Sequence, residues 1–140
     1  MSEQEIRTLE VLRTEGRRIT TARRLVIELL ARTNEHLTAD DLATRVHAAH
    51  PEIHLSTVYR TLDSLHDWGL VEHVHRPHGP SFFHLSGAHR HLVCEVCGRI
   101  HDVPAAEFNA LVARIRDLYA FEWHVGHVAL VGRCRDHCRT

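Results

Sequence analysis

Two cysteine pairs, Cys94-x2-Cys97 and Cys134-x3-Cys138, constrain this 140-residue chain more than any other feature. Four thiolates at these spacings suit a closed tetrahedral zinc site, in which the metal contributes directly to folding. The 36 residues between the pairs exceed the gap of an ordinary zinc ribbon. A metal held by all four would therefore staple a strand turn to the C-terminal tail. The competing readings are a redox dithiol, or one pair acting alone. A thioredoxin-type Cys-x-x-Cys opens a helix in a βαβ context, and no such context surrounds Cys94 and Cys97, which favours structural zinc.

The N-terminus, MSEQEIRTLEVLRTEG, is charged and lacks the apolar core of a secretory signal. No apolar run approaches the roughly 18 residues of a membrane span. Cytoplasmic residence is the expectation, and there four cysteines argue for metal or redox chemistry over structural disulfides. An apolar content of 44% is enough for a packed core, and a net charge of −1 carries no whole-chain signal for nucleic acid. Residues 1–85 hold ten arginines against twelve acidic residues, so DNA affinity has to come from local clustering. The chain has no lysine, and its compositional anomaly is fifteen histidines.

Apolar positions at Ile6, Leu9 and Val11 or Leu12 predict an amphipathic helix over residues 3–15, ended by Gly16. Thr20 is placed to cap a second helix to about Arg32, with Ala22, Leu25, Val26, Leu29 and Leu30 on its apolar face. Thr38-Ala-Asp-Asp41 resembles a capping box and opens a third, carrying Leu42, Ala43, Val46 and Ala49. A fourth spans about Ser56–Trp68, with Leu55, Val58, Leu62 and Leu65 toward the core and Gly69 as its stop. Two β-like runs follow, Leu70–His75 and Ser81–Leu85, across a turn rich in Pro and Gly. Three helices and a hairpin outline a winged helix, with one helix added in front.

Beyond Ser86-Gly87, read as a linker, strands are expected at His91–Cys94 and Arg99–Val103. Pro104 suits the first position of a helix, and Phe108, Leu111, Val112, Ile115, Leu118 and Tyr119 give that helix a wide apolar face. A last strand at about Trp123–Val131 leads to Cys134. The fold class is thus α+β. It comprises an N-terminal winged-helix DNA-binding domain (residues 1–86) and a small α/β metal-binding dimerisation domain (residues 87–140). The second is too small to bury its helix alone, and a partner subunit is the natural cover.

The histidines concentrate at the junctions of these elements. His89 and His91 are two apart and just before a strand, His84 closes the hairpin and His36 precedes the third helix. His127 falls in the last strand, and His73 and His75 share one face of the wing's first strand. Singly each reads as a surface or core residue; as a set they point to a second, sensory metal site. An all-nitrogen shell favours Zn or Ni, with Fe(II), Co or Cu as further candidates, whereas carboxylates such as Asp102 and Glu107 shift the preference toward Mn or Fe. On the fourth helix Ser56, Thr57, Tyr59 and Arg60 suit phosphates and base edges of a major groove. Arg17, Arg18, Arg23 and Arg24, around the start of the second helix, suit backbone phosphate. A merely solvated charged face is the bland alternative for the arginines.

At these residues the chain resembles the ferric uptake regulator family of bacterial metal-dependent repressors. The carrying stretches are Arg18-Ile19-Thr20-x-x-Arg23, LTADDLATRV after His36, LSTVYRTLDSLHDWGLV, HRHLVCEVCGRI and the terminal cysteine pair. The resemblance implies a winged helix, a C-terminal dimerisation domain, a two-fold homodimer on palindromic double-stranded operator DNA, and repression by the metal-loaded form. It implies structural Zn(2+) on Cys94, Cys97, Cys134 and Cys138, and a second, regulatory divalent metal. His36, His84, His89 and His91 match the hinge-site ligands, with His84 standing where iron-type members carry Glu. Asp102 matches a carboxylate of peroxide-sensing members, and His73, His75 and His127 match a histidine site of nickel-responsive ones. Departures are a shorter loop between His84 and His89, Ala88 and Arg90 where iron-type members carry ligands of a further site, and Ala22 in place of the usual proline.

The expected function is therefore a metal-sensing repressor of metal-homeostasis genes, with Ni or Zn favoured. Within the same class the rivals are an iron- or manganese-responsive regulator and an Fe-dependent peroxide sensor. A zinc enzyme is disfavoured because the H-E-x-x-H and H-x-E…P-C-x-x-C signatures are both missing. A dimerisation module with a vestigial DNA face is the remaining rival.

Overall fold

The computed structural model describes residues 1–76, 78–87, 89–123, 129–136 and 138. The chain forms two compact units, Met1–His73 with Ser81–Ser86, and Val74–Pro80 with Gly87–Thr140. No helix among the described residues is long and apolar enough to cross a membrane.

The first unit contains α1 (Glu3–Thr14), α2 (Thr21–Arg32), β1 (Leu37–Thr38), α3 (Ala39–Ala49), α4 (Leu55–Asp67), β2 (Val71–Val74, whose last residue counts with the second unit) and β3 (Phe82–Leu85). Helix starts follow from side chains that satisfy otherwise orphaned amides. Ser2 accepts from the Glu5 amide at 3.1 Å and Thr20 from the Arg23 amide at 3.2 Å. Thr38 and Asp41 close a reciprocal capping box at 3.1 and 3.0 Å. Val26, Ile27, Leu42, Val58, Leu62, Leu65 and Val71 form one buried cluster. The sheet order is β1-β3-β2, so the hairpin gains a third strand that alternation in the sequence does not signal. A two-residue strand carries no periodicity to read.

Three apolar assignments are corrected, the simplest being Ala49, which is exposed at the end of α3. Leu55 is 45% exposed, because α4 begins one residue early and its first turn projects past the core; Thr61 is buried instead, donating to the Thr57 carbonyl at 2.8 Å. In α1, Ile6 is exposed while Glu5 and Thr8 join Leu9 and Leu12 on the inner stripe. Thr8 donates to the Gln4 carbonyl at 2.8 Å, and the Arg32 guanidinium lies 3.7 Å from the Glu5 carboxylate.

The second unit holds β4 (His89–Cys94), β5 (Ile100–Pro104), α5 (Ala106–Tyr119) and β6 (Leu130–Gly132). β4 is central, antiparallel to β5 and parallel to β6. Pro104 ends β5 opposite His89 and does not open the helix. A strand end tolerates a residue that cannot donate to the ladder. No residue of α5 is buried, and Leu111, Leu118 and Tyr119 stand exposed. Of the expected strand at Trp123–Val131, residues 124–128 lie outside the described residues.

Candidate metal centres and nucleic-acid face

The parallel register of β4 and β6 pairs Cys94 with Gly132, which delivers Cys134 two residues later to the Cys94-x-x-Cys97 turn. Gly98 makes that turn with φ +74°, a conformation glycine adopts without strain, and its amide donates to the Cys94 carbonyl at 2.9 Å. The sulfurs of Cys94, Cys97, Cys134 and Cys138 all lie within 4.8 Å of one another, with Cys94–Cys138 at 3.4 Å and Cys97–Cys134 at 3.7 Å. A tetrahedron with metal–sulfur bonds of about 2.3 Å has edges of about 3.8 Å. Four soft donors at that spacing fit a zinc ion. Amides of Val96 and Cys97 point at the Cys94 sulfur from 3.4 and 3.5 Å. Backbone N–H groups, that of Cys97 foremost, pull the Cys94 thiol down to about 5. Hydrogen bonds to Cys94 and then Cys97 push Cys134 up to about 12, and Cys138 is raised chiefly by its bond to Cys94. Cys94 is thus a ready thiolate, and Cys134 and Cys138 hold protons that a metal would displace.

In the first unit, β1 and β3 pair Leu37 with Phe83, so His36, one residue before, stands across from His84, one residue after. The His36 ring packs edge-on to Phe82 at 4.6 Å. His84 Nδ1 lies 2.9 Å from the Leu85 carbonyl, which can only accept, so Nδ1 carries a proton and Nε2 is the ring nitrogen left to face another group. That Nε2 is 3.4 Å from the carboxylate of buried Glu72. Sequence reasoning missed Glu72. Its one signal is an acid in a strand whose neighbours Val71 and Val74 are core residues.

In the second unit, His91 and Asp102 are cross-strand partners, and His91 Nδ1 donates to Asp102 at 2.8 Å. The other Asp102 oxygen is 3.7 Å from His89 Nε2, and the two imidazoles stand 5.0 Å apart and nearly perpendicular. His91 is buried and its ring is oriented by the carboxylate, as metal-binding histidines commonly are. His73 stacks on His66 at 4.5 Å, His75 lies past the end of β2 and is exposed, and His127 falls outside the described residues. Glu107 is exposed in the first turn of α5.

Ser56, Tyr59 and Arg60 are exposed on α4 and Thr57 is half-buried there. The Tyr59 hydroxyl donates to the Asp40 carboxylate in the first turn of α3, which raises the phenol above its usual value. Arg18 and Arg24 are exposed, and Arg23 donates to the Arg18 carbonyl. Between α2 and α4 runs an open groove of about 420 Å³, lined by Thr20, Arg23, Thr57, Arg60 and Ser64, with Glu52 as an acidic member of its wall. Hydroxyls and guanidiniums around one groove are chemistry for anionic oxygen.

A helical unit ending in a winged hairpin, joined to a sheet with a thiol tetrad and imidazole–carboxylate clusters, defines a metal-responsive regulator of transcription. The chain belongs to the ferric uptake regulator family, whose profile matches residues 14–130. A zinc uptake regulation protein of Mycobacterium tuberculosis is 33% identical over 128 residues, covering 89% of this chain and 97% of that protein. A peroxide-responsive repressor of Staphylococcus saprophyticus is 28% identical over 128 residues, covering 89% and 85%. The solved ferric uptake regulator of Pseudomonas aeruginosa with manganese superposes with a TM-score of 0.73 at 28% identity, covering 92% of this chain and 98% of that one. Members of the family are regulators that use divalent metals, and the chain is a regulator and not an enzyme.

Proposed function

We propose that this protein is a cytoplasmic, metal-loaded homodimeric repressor of metal-homeostasis genes that binds palindromic operators, with zinc as its favoured sensed ion and nickel next. Residues 1–86 are the reading head and residues 87–140 the dimerisation domain, with a second copy covering the apolar stripe of α5. Structural zinc takes Cys94, Cys97, Cys134 and Cys138. The regulatory ion draws on His36, His84, His89 and His91, which the family resemblance designates, and on Glu72. Ser56, Thr57, Tyr59 and Arg60 face the bases, and Arg18, Arg23 and Arg24 the phosphates.

The observation that carries the choice of metal is the Glu72–His84 pair. Its N···O separation of 3.4 Å is long for a charge-assisted hydrogen bond, which runs at about 2.7–2.9 Å. It matches the edge of a tetrahedron with bonds of about 2.1 Å, the zinc geometry. An octahedral ion with bonds of that length has adjacent ligands only about 3.0 Å apart. When bound, the ion supplies a cross-link between side chains and no redox chemistry. The chain's part is to hold imidazoles in one tautomer, Leu85 doing so for His84 and Asp102 for His91. A form that binds metal better and DNA better couples the two by linkage, typically about 1–3 kcal/mol or roughly 5–150-fold.

The test is retention on genomic DNA fragments titrated with Zn, Ni, Mn and Fe(II), for wild type and the His89→Ala/His91→Ala variant. The variant is expected to stay a folded dimer and lose the metal dependence. Metal-dependent retention in the variant would refute the sensory assignment.

A second reading, an iron-dependent peroxide sensor, is favoured by Asp102 beside both histidines, since a carboxylate moves preference toward iron. A mass gain on His89 or His91 after Fe(II) and peroxide would support it, and an unchanged mass would dismiss it.

A further inference from the structure

Trp68 has no part in the proposal so far. It caps the C-terminus of α4, is half-buried, and packs against the core cluster of the first unit. Two cations converge on its indole, the Arg17 guanidinium carbon 4.1 Å from a ring centroid and that of Arg23 at 4.7 Å. Both lie within the range of cation–π attraction, and Trp is the strongest acceptor of the kind. Each arginine has one further restraint. Arg17 pairs with Glu15 at 2.8 Å, and Arg23 donates to the Arg18 carbonyl.

We infer that Trp68 is a positioning residue for DNA binding, holding Arg17 and Arg23 at the phosphate backbone. The inference rests on the DNA-binding reading above. A free arginine gives up much of its rotamer freedom when it grips a phosphate. Here that loss is already taken in the unbound protein, because an anchored indole fixes both side chains. Glu15 neutralises Arg17 in part, and Arg23, bonded to a neutral carbonyl, keeps the net charge of the pair positive. The surroundings admit an anion: Arg23 borders the groove that Thr20, Thr57 and Arg60 also line, at the positive N-terminal end of α2, where the guanidiniums of Arg23 and Arg60 outnumber the single carboxylate of Glu52. Trp68 therefore makes the spacing of the two guanidiniums a fixed property of the fold.

Phosphate contacts are independent of base sequence, so no operator is needed for the test. Each contributes about 0.9 to the slope of log affinity against log salt. The experiment titrates the full-length, zinc-loaded protein with a labelled 30-base-pair random-sequence duplex across a salt series. It compares wild type, Trp68→Leu, Trp68→Phe, Arg17→Ala/Arg23→Ala and the triple variant with Trp68→Leu. Losing two contacts lowers the slope by about 1.8. From about 50 to 200 mM salt, wild-type affinity should accordingly fall about tenfold further than that of Trp68→Leu or of the double-arginine variant. Trp68→Phe should recover most of the slope, and the triple variant should lose nothing beyond the double.

A purely structural staple between the two helices would change thermal stability in Trp68→Leu and leave its salt slope alone, which overturns the inference. Should Trp68→Leu fail to fold, a full slope in the double-arginine variant overturns it equally. A wild type that does not retain the duplex at low salt refutes the DNA-binding reading itself, and is thereby distinguished.

Discussion

Replacing Cys97 by alanine isolates the metal's part in folding. Cys97 is exposed, so truncation removes a ligand and almost no packing. Among the described residues the second unit buries few apolar side chains, chiefly Val74, Val93 and Cys94, and α5 buries none. Burying a valine contributes about 1.5–3 kcal/mol, whereas a structural zinc contributes about 10–16 kcal/mol of apparent folding free energy near neutral pH. No local contact can offset loss of the ion. The amide of Glu95 reports the result, because it donates to the Gly132 carbonyl at 2.8 Å and so exists only while β6 is seated on β4. Its hydrogen exchange should lose protection in Cys97→Ala, and the variant should yield zinc to a chelator that leaves wild type loaded. The Leu70 amide, bonded to the Leu65 carbonyl at 2.9 Å in the first unit, should stay protected. Full zinc content with an unchanged Glu95 exchange rate would refute the dependence on a four-thiolate centre.

Zinc affinity of the tetrad should fall on acidification. Without metal Cys94 is a thiolate down to about 5, while Cys134, pushed up to about 12, and Cys138, also raised, keep protons that zinc must expel. The protons on Cys134 and Cys138 alone make the affinity fall by at least about a hundredfold per pH unit near neutrality, steepening below the Cys94 value. Competition with a chromophoric chelator across that range checks it, and a flat profile would contradict it. Asp40→Ala should bring the Tyr59 phenol back down toward 10, read by ultraviolet titration, since the Asp40 carboxylate is what raises it; an unmoved titration would show that the bond does not form in solution. Leu62→Ala should cost the first unit about 2–5 kcal/mol in urea unfolding, with zinc content unchanged. A loss of zinc in that variant would mean that the tetrad depends on the first unit's core.

Much of the architecture was legible because it rests on local chemistry. Thr20 and Thr38 cap helices through amides three residues away, and the stripe Val58–Leu62–Leu65 repeats at helical spacing. Both are properties of a short window. The misses fall where a window carries no information. β1 has two residues, and Leu55 continues the stripe past the edge of the core. Pro104 suits a helix start as well as a strand end, and the long-range pairing with His89 decides between them.

Residue order alone thus determined which donors the protein owns and which lie close along the chain: paired thiols, the His89–His91 doublet, hydroxyls and arginine at the start of α4. Tertiary structure decided which distant groups share a space. The parallel pairing of β4 with β6 closes the thiol tetrad, register sets His91 against Asp102, and burial brings Glu72 to His84. Helix packing lays Arg17 and Arg23 on Trp68. Spacing along a chain specifies neighbours only within a turn or a strand; beyond that, the packing of buried faces chooses them.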